Sequence, residues 1–197
     1  MTSKPIRAVV VGGTGYTGAE LVRLSLAHPS LELVSIVGNT TAGQAVAEVL
    51  PSLRGVVDGV VQPFDADAIA SQADVVFCAL PHAASAEAVS ALRARGKIVL
   101  DLSADFRFED VSVYEEWYGK HPVPERLDEA VYGLVELHRE ELRTADLVAV
   151  PGCYPTASTL ALAPLVKNGL IRSEGIAVDA KSGVSGAGRG VSAATQF

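Results

Sequence analysis

The sequence predicts an α/β fold: a Rossmann-like, doubly wound parallel sheet, followed by the beginning of an α+β domain. Apolar runs alternate with segments at helical spacing along the chain, a pattern typical of βαβ units and of a parallel sheet covered on both faces. The first apolar run, residues 6–11, breaks into a glycine turn directly before a helix. A second passage from strand to turn to helix follows residues 147–150.

Each element is assigned from its apolar pattern and from the turn residues that bound it. We predict strands at residues 6–11, 33–37, 56–61, 74–80, 97–100, 147–150 and 176–181. We predict helices at residues 16–27, 43–50, 83–95, 136–143 and 155–168. Residues 103–132 are aromatic, charged and without a clear period, so we predict irregular structure there. The boundary between two domains is expected near residue 150, which gives units 1–150 and 151–197.

Composition narrows the class of protein. The chain has 197 residues, 49% of them hydrophobic and 20% charged, with a net charge of −7, which does not suggest a nucleic-acid surface. No apolar stretch approaches the roughly 18 residues that span a bilayer. The two cysteines, Cys78 and Cys153, imply no disulfide framework. We therefore expect a cytoplasmic protein with neither nucleic acid nor membrane as a partner, and we predict no metal site.

The glycine turn lies between a predicted strand and a predicted helix, which is the context of a dinucleotide-binding fingerprint. Glycine allows a tight turn and a close approach to a pyrophosphate, while the helix N-terminus offers free N–H groups. An ordinary glycine-rich turn is the alternative, and the context favours nucleotide binding. The candidate cofactor-binding residues here are Gly12, Gly13, Thr14, Gly15, Tyr16, Thr17 and Gly18.

The end of the second predicted strand indicates which nucleotide is bound. An NAD-specific site usually has Asp or Glu about 20 residues after the glycine turn. Here the strand is followed by Asn39, Thr40 and Thr41. These small hydrogen-bonding side chains are able to accept a 2′-phosphate, so we predict NADP(H) as the cofactor.

The two cysteines lie in opposite settings. Cys78 is inside an apolar run and is predicted to be an inert core thiol. Cys153 follows the turn Pro151-Gly152, with Pro155 predicted at the first helical position. A helix N-terminus favours the thiolate and can stabilise an oxyanion. A structural cysteine at a turn is the alternative, but beside a dinucleotide site we predict a nucleophile that forms a thioester for reduction to an aldehyde.

Several motifs together resemble the N-acetyl-γ-glutamyl-phosphate reductases, arginine-biosynthesis enzymes related to the aspartate-semialdehyde dehydrogenases. They are GGTGYTG (12–18), ALPH (79–82), DLSADFR (101–107), VYGLVEL (131–137), PGCYPT (151–156) and KSGVSGAGR (181–189). The resemblance implies that NADPH reduces N-acetyl-γ-glutamyl phosphate to N-acetylglutamate 5-semialdehyde and phosphate. It also implies an NADP-binding domain at 1–150, the start of a catalytic and dimerisation domain at 151–197, and a homo-oligomer at full length.

The same resemblance assigns roles to individual residues. Cys153 matches the family nucleophile, and Arg107 looks like a contact to substrate or phosphate, for which an ion pair with Glu109 or Asp110 is the alternative. Loops against the cofactor are implied at Pro81, His82, Ser182 and Gly183. The alternative for His82 is a solvated residue in a turn that starts a helix, and for the glycine loop it is simple flexibility.

The family's histidine acid/base lies in a His-Arg-His segment that the resemblance places after Phe197. His28, His82, His121 and His138 are not expected to replace it. We therefore expect an N-terminal portion of the family's chain, poorly active alone, because loss of a general acid/base costs about 10²–10⁴ in rate. Two other functions stay open: an aspartate-semialdehyde dehydrogenase, and a non-catalytic NADP-binding fragment or sensor.

Overall fold

The structure is a computed structural model that describes residues 4–190. Its strands are β1 (Ile6–Val11), β2 (Leu31–Val37), β3 (Val75–Cys78), β4 (Ile98–Asp101), β5 (Ala130–Tyr132) and β6 (Leu147–Ala149). Its helices are α1 (Tyr16–Ala27), α2 (Val46–Val49), α3 (Ala66–Gln72), α4 (Ala84–Arg93), α5 (Val111–Tyr118), α6 (Val135–Leu142) and α7 (Cys153–Lys167). Short 3₁₀ helices occur at Pro51–Leu53, Pro124–Glu129 and Val184–Ala187.

The strands form one six-stranded sheet in the order β2-β1-β3-β4-β6-β5. All five strand pairs are parallel. The prediction of a doubly wound parallel sheet is therefore confirmed.

The sheet is buried on both faces, as a parallel sheet requires. Successive side chains of a strand point to opposite faces, and β1 shows it: Val9 and Val11 join one buried cluster, whereas Val10 joins a second cluster with Val22 of α1. The continuous apolar run of β1 is thus explained by burial on both sides.

The order in which the chain adds strands to the sheet changes direction at β1. It runs from β1 outward to the edge strand β2 and then crosses to β3 on the other side of β1. Ligands of such sheets bind in the crevice at the carboxyl ends of the strands at this switch point. Here the turns after β1 and β3 touch, because Ala79 donates its N–H to the carbonyl oxygen of Val11 at 2.8 Å.

The prediction of irregular structure for residues 103–132 is wrong. This segment contains α5, a 3₁₀ helix and the edge strand β5. Asp110 caps α5, its Oδ1 accepting from the N–H of Ser112 at 2.8 Å, and Tyr114 in that helix is buried. Tertiary burial of aromatic residues stabilises a helix whose own periodicity is weak.

Two predicted strands are absent from the part of the chain that the structure describes. Residues 56–61 form only an isolated bridge between Ala45 and Val60, since Gly55 and Gly59 adopt positive φ values of 75° and 107° that interrupt an extended run. Residues 176–181 are exposed and pair with no strand within 4–190. A strand exists only through its ladder partners.

Other predictions differ in extent. The helix predicted at 43–50 is confined to Val46–Val49, and α7 begins two residues before the predicted helix start at 155. Residues 191–197 of the predicted second unit lie outside the described residues. Across residues 4–190 the helices are too short or too polar to cross a membrane.

Candidate active site

The glycine turn joins β1 to α1 so tightly that three of its glycines have no room for a side chain. Gly12 has a φ of +75°, and a Cβ there would stand 2.3 Å from the carbonyl oxygen of Ala79. At Gly18 a Cβ would stand 2.2 Å from the carbonyl oxygen of Gly12, and at Gly13 it would stand 2.6 Å from Cγ2 of Ile36. These glycines are therefore required by the packing of the turn itself, whatever the turn binds.

The N-terminus of α1 is open. Gly15 is its N-cap and carries no capping side chain, and a Cβ at Gly15 would meet only the carbonyl oxygen of Gly12, at 3.6 Å. Ala19 donates to the carbonyl oxygen of Gly15 at 2.8 Å, so the amides of residues 16–18 precede the first helical hydrogen bond. Free amides beside an open space fit the pyrophosphate of a dinucleotide.

The end of β2 lies beside the glycine turn. Thr41 Oγ1 donates to Thr14 Oγ1 at 3.4 Å. Asn39 is exposed and its Oδ1 accepts from the N–H of Phe64 at 3.3 Å, which leaves the amide nitrogen of Asn39 available as a donor. Thr40 is also exposed. The three polar side chains predicted to select the nucleotide are thus at the same edge of the sheet as the glycines.

Cys153 is the first residue of α7 and is exposed. Gly152 is the N-cap, and the first helical hydrogen bond runs from the N–H of Thr156 to its carbonyl oxygen at 3.0 Å. Pro155 is therefore the third residue of the helix rather than the first. It costs no hydrogen bond there, because first-turn amides have no helical acceptor. The amides of Cys153 and Tyr154 stand at this N-terminus.

The second cysteine is inaccessible. Cys78 has 0% exposure, and burial, together with the nearby charge of Asp101, raises the pKa of its thiol well above the ordinary value. The prediction of a core position for Cys78 is confirmed, whereas Cys153 is exposed.

Arg107 is held against the turn that carries Cys153. Its Nε donates to the carbonyl oxygen of Val150 and its Nη2 to that of Leu102, both at 2.9 Å. These carbonyls follow the carboxyl ends of β6 and β4. The third nitrogen, Nη1, lies 3.2 Å from the position that a Cβ of Gly152 would take.

The alternative environment for Arg107 is not formed. Within residues 4–190, Arg107 makes no ion pair with Glu109 or Asp110. Two carbonyls fix the plane of the guanidinium, so Nη1 is presented beside the N-terminus of α7. A guanidinium in this position suits an oxyanion of phosphate or carboxylate.

A cleft of about 580 Å³ lies in front of Cys153. One wall is the first turns of α7, with Tyr154, Ala157 and Ser158, and the other wall is the segment 178–183. Ser182 and Gly183 belong to that second wall. The structure therefore brings these two predicted residues to the cysteine, on a segment that crosses the start of α7.

Pro81 and His82 form the exposed loop between β3 and α4. His82 Nδ1 accepts from the N–H of Ala104 at 3.0 Å, so the neutral ring carries its proton on Nε2. The ring packs edge-on against Tyr118, with centroids 4.9 Å apart. The loop lies at the carboxyl end of β3 and leads directly into α4 at Ala84. His82 therefore lies both in a turn that starts a helix and at the carboxyl edge of the sheet.

A buried carboxylate that sequence reasoning missed shapes this loop. Asp105 has 0% exposure and accepts from the N–H of Ala83 at 3.0 Å, the N–H of Ala86 at 2.9 Å and the hydroxyl of Tyr114 at 2.9 Å. Ala83 has a φ of +64°, a left-handed conformation that costs a non-glycine residue free energy. Asp105 therefore stabilises the strained turn next to His82.

Asp101 is a second buried carboxylate that the sequence analysis did not single out. Asp101, at the end of β4, is buried and accepts from the hydroxyls of Ser85 and Ser103, each at 2.5 Å. Burial raises its pKa, and the two hydroxyls partly offset that shift. Burial and the bond to Asp105 also raise the pKa of Tyr114. Asp101 could have been noticed from its position directly after the predicted strand 97–100. Asp101 and Asp105 are both buried, and they hold the loops of the site through hydrogen bonds inside the fold.

The candidate groups thus share the carboxyl edge of one sheet. The glycine turn follows β1, His82 follows β3, Arg107 follows β4 and Cys153 follows β6. In residues 4–190 no group of three or more His, Cys, Asp or Glu side chains is placed to hold a metal ion. Fold and site together define a Rossmann-like dinucleotide-binding domain with an exposed cysteine beside it.

Comparisons with protein families agree with this class. The family described as "Semialdehyde dehydrogenase, NAD binding domain" matches residues 7–145. A second family, "Semialdehyde dehydrogenase, dimerisation domain", matches residues 153–197. The chain belongs to the semialdehyde dehydrogenase family.

Curated relatives carry a more particular name. The chain is 52% identical over 190 residues to "N-acetyl-gamma-glutamyl-phosphate reductase" of Rhodopirellula baltica, covering 96% of this chain and 55% of that protein. It is 55% identical over 185 residues to the protein of the same name from Heliobacterium modesticaldum, covering 93% and 53%. The chain therefore spans about half the length of these relatives.

Solved structures share the fold. An aspartate semialdehyde dehydrogenase II from Vibrio cholerae superposes with a TM-score of 0.64 at 15% identity, covering 95% of this chain and 49% of that one. An aspartate semialdehyde dehydrogenase with NADP from Candida albicans gives a TM-score of 0.61 at 18% identity, covering 84% and 48%.

Proposed function

We propose that this chain carries the NADP(H)-binding domain and the cysteine nucleophile of an N-acetyl-γ-glutamyl-phosphate reductase. The names of relatives at 52% and 55% identity support this choice over an aspartate-semialdehyde dehydrogenase. We further propose a division into an NADP-binding unit at 1–150 and the start of a catalytic and dimerisation unit at 151–197. The full-length protein is proposed to be a cytoplasmic homo-oligomer whose partner is a small acyl phosphate.

One observation carries the proposal: an exposed cysteine begins a helix within a cleft, and a fixed guanidinium stands beside it. Cys153 lies in the cleft at the N-terminus of α7. Arg107 is held by two backbone carbonyls with Nη1 near Gly152. A sensor that only binds a nucleotide has no use for this arrangement, whereas acyl transfer from a phosphate needs both a nucleophile and a cationic contact.

The chemistry follows from these positions. Cys153 Sγ, as the thiolate, attacks the acyl carbon, a C–S bond forms, and the C–O bond to phosphate breaks with its electron pair leaving on the phosphate. The amides of Cys153 and Tyr154 stabilise the developing oxyanion, because Pro155 has no N–H to offer. Arg107 Nη1 binds the leaving phosphate or the substrate carboxylate. When bound, NADPH would supply the hydride that reduces the thioester to an aldehyde, and the C–S bond would break with its electron pair returning to Cys153 Sγ.

The chain's own residues fit that cofactor. Gly12, Gly13 and Gly18 allow the turn to close, and the amides of residues 16–18 receive the pyrophosphate at the open N-terminus of α1. Asn39 Nδ2 and the Thr40 hydroxyl, both at the end of β2, receive the 2′-phosphate. Pro81 and His82, in the loop after β3, and Ser182 and Gly183, in the wall of the Cys153 cleft, would contact the rest of the cofactor.

A single-turnover experiment on the 197-residue chain tests the nucleophile without requiring the whole reaction. The chain is mixed with N-acetyl-γ-glutamyl phosphate, and both released phosphate and protein mass are measured. We expect one N-acetylglutamyl adduct on Cys153, none in Cys153→Ser, and an unchanged adduct in Cys78→Ala as the matched control. An adduct that survives Cys153→Ser overturns the assignment, and faster labelling by aspartyl phosphate favours the aspartate-semialdehyde dehydrogenase.

A further inference from the structure

A single side chain connects the loop beside Cys153 to the glycine turn. Arg189 Nη1 donates to the carbonyl oxygen of Thr14 at 3.0 Å and to that of Val49 at 3.1 Å. Thr14 lies in the middle of the glycine turn and Val49 ends α2. Arg189 and Thr14 are 175 positions apart in the sequence, so this contact joins two distant parts of the chain.

The segment between Arg189 and the cleft is short and compact. Gly186 donates to the carbonyl oxygen of Gly183 at 2.9 Å, and Gly188 to that of Ser185 at 3.0 Å. A Cβ at Gly186 would stand only 2.3 Å from Ser182 Oγ, so the 3₁₀ helix Val184–Ala187 packs directly on the residue two positions before its start. Ser182 and Gly183, which line the cleft with Cys153, are therefore connected to Arg189 through one short hydrogen-bonded turn.

The other end of the contact belongs to the element that would hold the nucleotide. The hydroxyl of Thr14 accepts from Thr41 at the end of β2, and a Cβ at Gly38 would stand 3.1 Å from Thr14 Oγ1. Thr14 thus connects the glycine turn to the residues after β2 that are proposed to contact the 2′-phosphate. Arg189 forms no ion pair with any described residue, so its charge adds to an edge that is suited to an anion.

We propose that Arg189 is a positioning residue that couples nucleotide occupancy of the glycine turn to closure of the 178–183 segment over Cys153. The proposal rests on the proposed function for the nucleotide. Without nucleotide, Arg189 holds the segment across the cleft through Thr14 and Val49. A nucleotide bound at the glycine turn would hold the Thr14 carbonyl in the position that Arg189 contacts, so the segment would be held more firmly. The coupling is reciprocal. The factor by which a bound nucleotide favours the closed position of the segment is also the factor by which the closed segment strengthens nucleotide binding.

Alkylation of Cys153 by iodoacetamide measures the position of this segment directly. Cys78 is fully buried and Cys153 is exposed, so intact mass reports a single thiol. The rate is measured with and without NADPH in the 197-residue chain, in Arg189→Ala and in Arg172→Ala. Arg172 is an exposed arginine outside the hydrogen bonds and ion pairs of the described residues, and it provides the matched control for loss of charge.

Three differences are expected. Without nucleotide, Arg189→Ala reacts several-fold faster than the unchanged chain, because its segment is released from the cleft. NADPH slows alkylation of the unchanged chain and of Arg172→Ala by about fivefold or more, the lower end of ordinary coupling, and has no such effect on Arg189→Ala. Calorimetry shows weaker NADPH binding by Arg189→Ala, while its melting temperature stays that of Arg172→Ala.

Each failure has a different meaning. If Arg189→Ala is alkylated at the unchanged rate without nucleotide, Arg189 does not hold the segment and the proposal is overturned. If that rate rises but NADPH slows the variant as much as the unchanged chain, the coupling is overturned. If the unchanged chain does not bind NADPH at all, the nucleotide part of the proposed function fails together with the coupling, and the comparison without nucleotide still decides whether Arg189 holds the segment.

Discussion

Arg107 donates from Nε to the carbonyl oxygen of Val150 across 2.9 Å and so ties the loop after β4 to the turn that carries Cys153. A second bond from Nη2 to Leu102 fixes the plane of the guanidinium. The fork of an arginine satisfies both carbonyls at once, which a single ammonium group cannot do in the same geometry.

Arg107→Lys is therefore expected to slow acyl transfer to Cys153 by about 100-fold, the scale of a misplaced positioning group. Loss of a carbonyl partner is expected to lower the free energy of unfolding by about 1–3 kcal/mol. Single-turnover phosphate release and urea unfolding measure the two effects. Arg143→Lys, at an exposed arginine paired with Glu140, is the control, and equal behaviour of the two variants would contradict the role of Arg107.

Gly12→Ala is expected to destabilise the chain more than Gly55→Ala. Both glycines have a φ of +75°, and an L-residue there costs about 1–2 kcal/mol. Only Gly12 also faces backbone, at 2.3 Å, whereas nothing lies within 4 Å of a Cβ at Gly55. The additional loss at Gly12 is expected to be about 1–3 kcal/mol, the usual cost of overpacking. Denaturant unfolding measures it, and equal losses would show that the turn relaxes without cost.

Tyr114→Phe removes one of three donors to the buried Asp105. We expect the free energy of unfolding to fall by about 1–3 kcal/mol, the cost of a buried group left short of a partner. Tyr118→Phe is the matched control, because Tyr118 stacks on Tyr114 with centroids 5.0 Å apart yet is exposed. A loss confined to Tyr114→Phe supports a stabilising hydrogen bond from its hydroxyl to Asp105, and similar losses would attribute the effect to removal of a phenolic hydroxyl in general.

We expect Asp74 to contribute to the loss of folding stability at low pH. The guanidinium and the backbone N–H of Arg7 hold the pKa of Asp74 well below its ordinary value of 3.8. A carboxylate with a lowered folded-state pKa stabilises the fold above the unfolded value and loses that contribution as pH falls through the folded one. Asp74→Asn is therefore expected to flatten the fall in stability below about pH 4.

Melting temperatures from pH 7 to the lowest pH at which the chain stays soluble measure this slope. Asp128→Asn, at an exposed carboxylate that is in no ion pair of residues 4–190, is expected to leave the slope unchanged. If both variants change it equally, overall charge rather than the Arg7–Asp74 pair determines the acid limb.

Asn39→Asp is expected to weaken the preference for the phosphorylated nucleotide. A carboxylate at the end of β2 repels a 2′-phosphate and accepts hydrogen bonds from a free ribose hydroxyl. We expect the ratio of NADPH to NADH affinity to fall by about tenfold or more, the scale of one unfavourable charge contact. Calorimetry with both nucleotides measures it. Gln44→Glu, a charge placed elsewhere in the same exposed loop, should change the ratio little, and an equal effect would point to general repulsion.

The elements whose signals are local could be predicted from the sequence alone. Residues 6–11 and 16–27 were predicted with the bounds that the structure has, because a buried apolar run, a glycine turn and a helix that ends before Pro29 need no distant partner to be recognised. The same local signals located Cys153 at the start of a helix and Cys78 inside a strand.

Contacts between residues that are distant in the sequence could be established from the three-dimensional fold alone. Residues 176–181 have the composition of a strand but pair with none within 4–190, and α5 depends on the burial of Tyr114. Arg107 was identified from its motif, yet its hydrogen bonds to Val150 and Leu102 could not be predicted. Strand pairing, burial and the partners of a guanidinium arise between segments far apart in sequence, so they follow from the order of strands in the sheet and not from any local pattern.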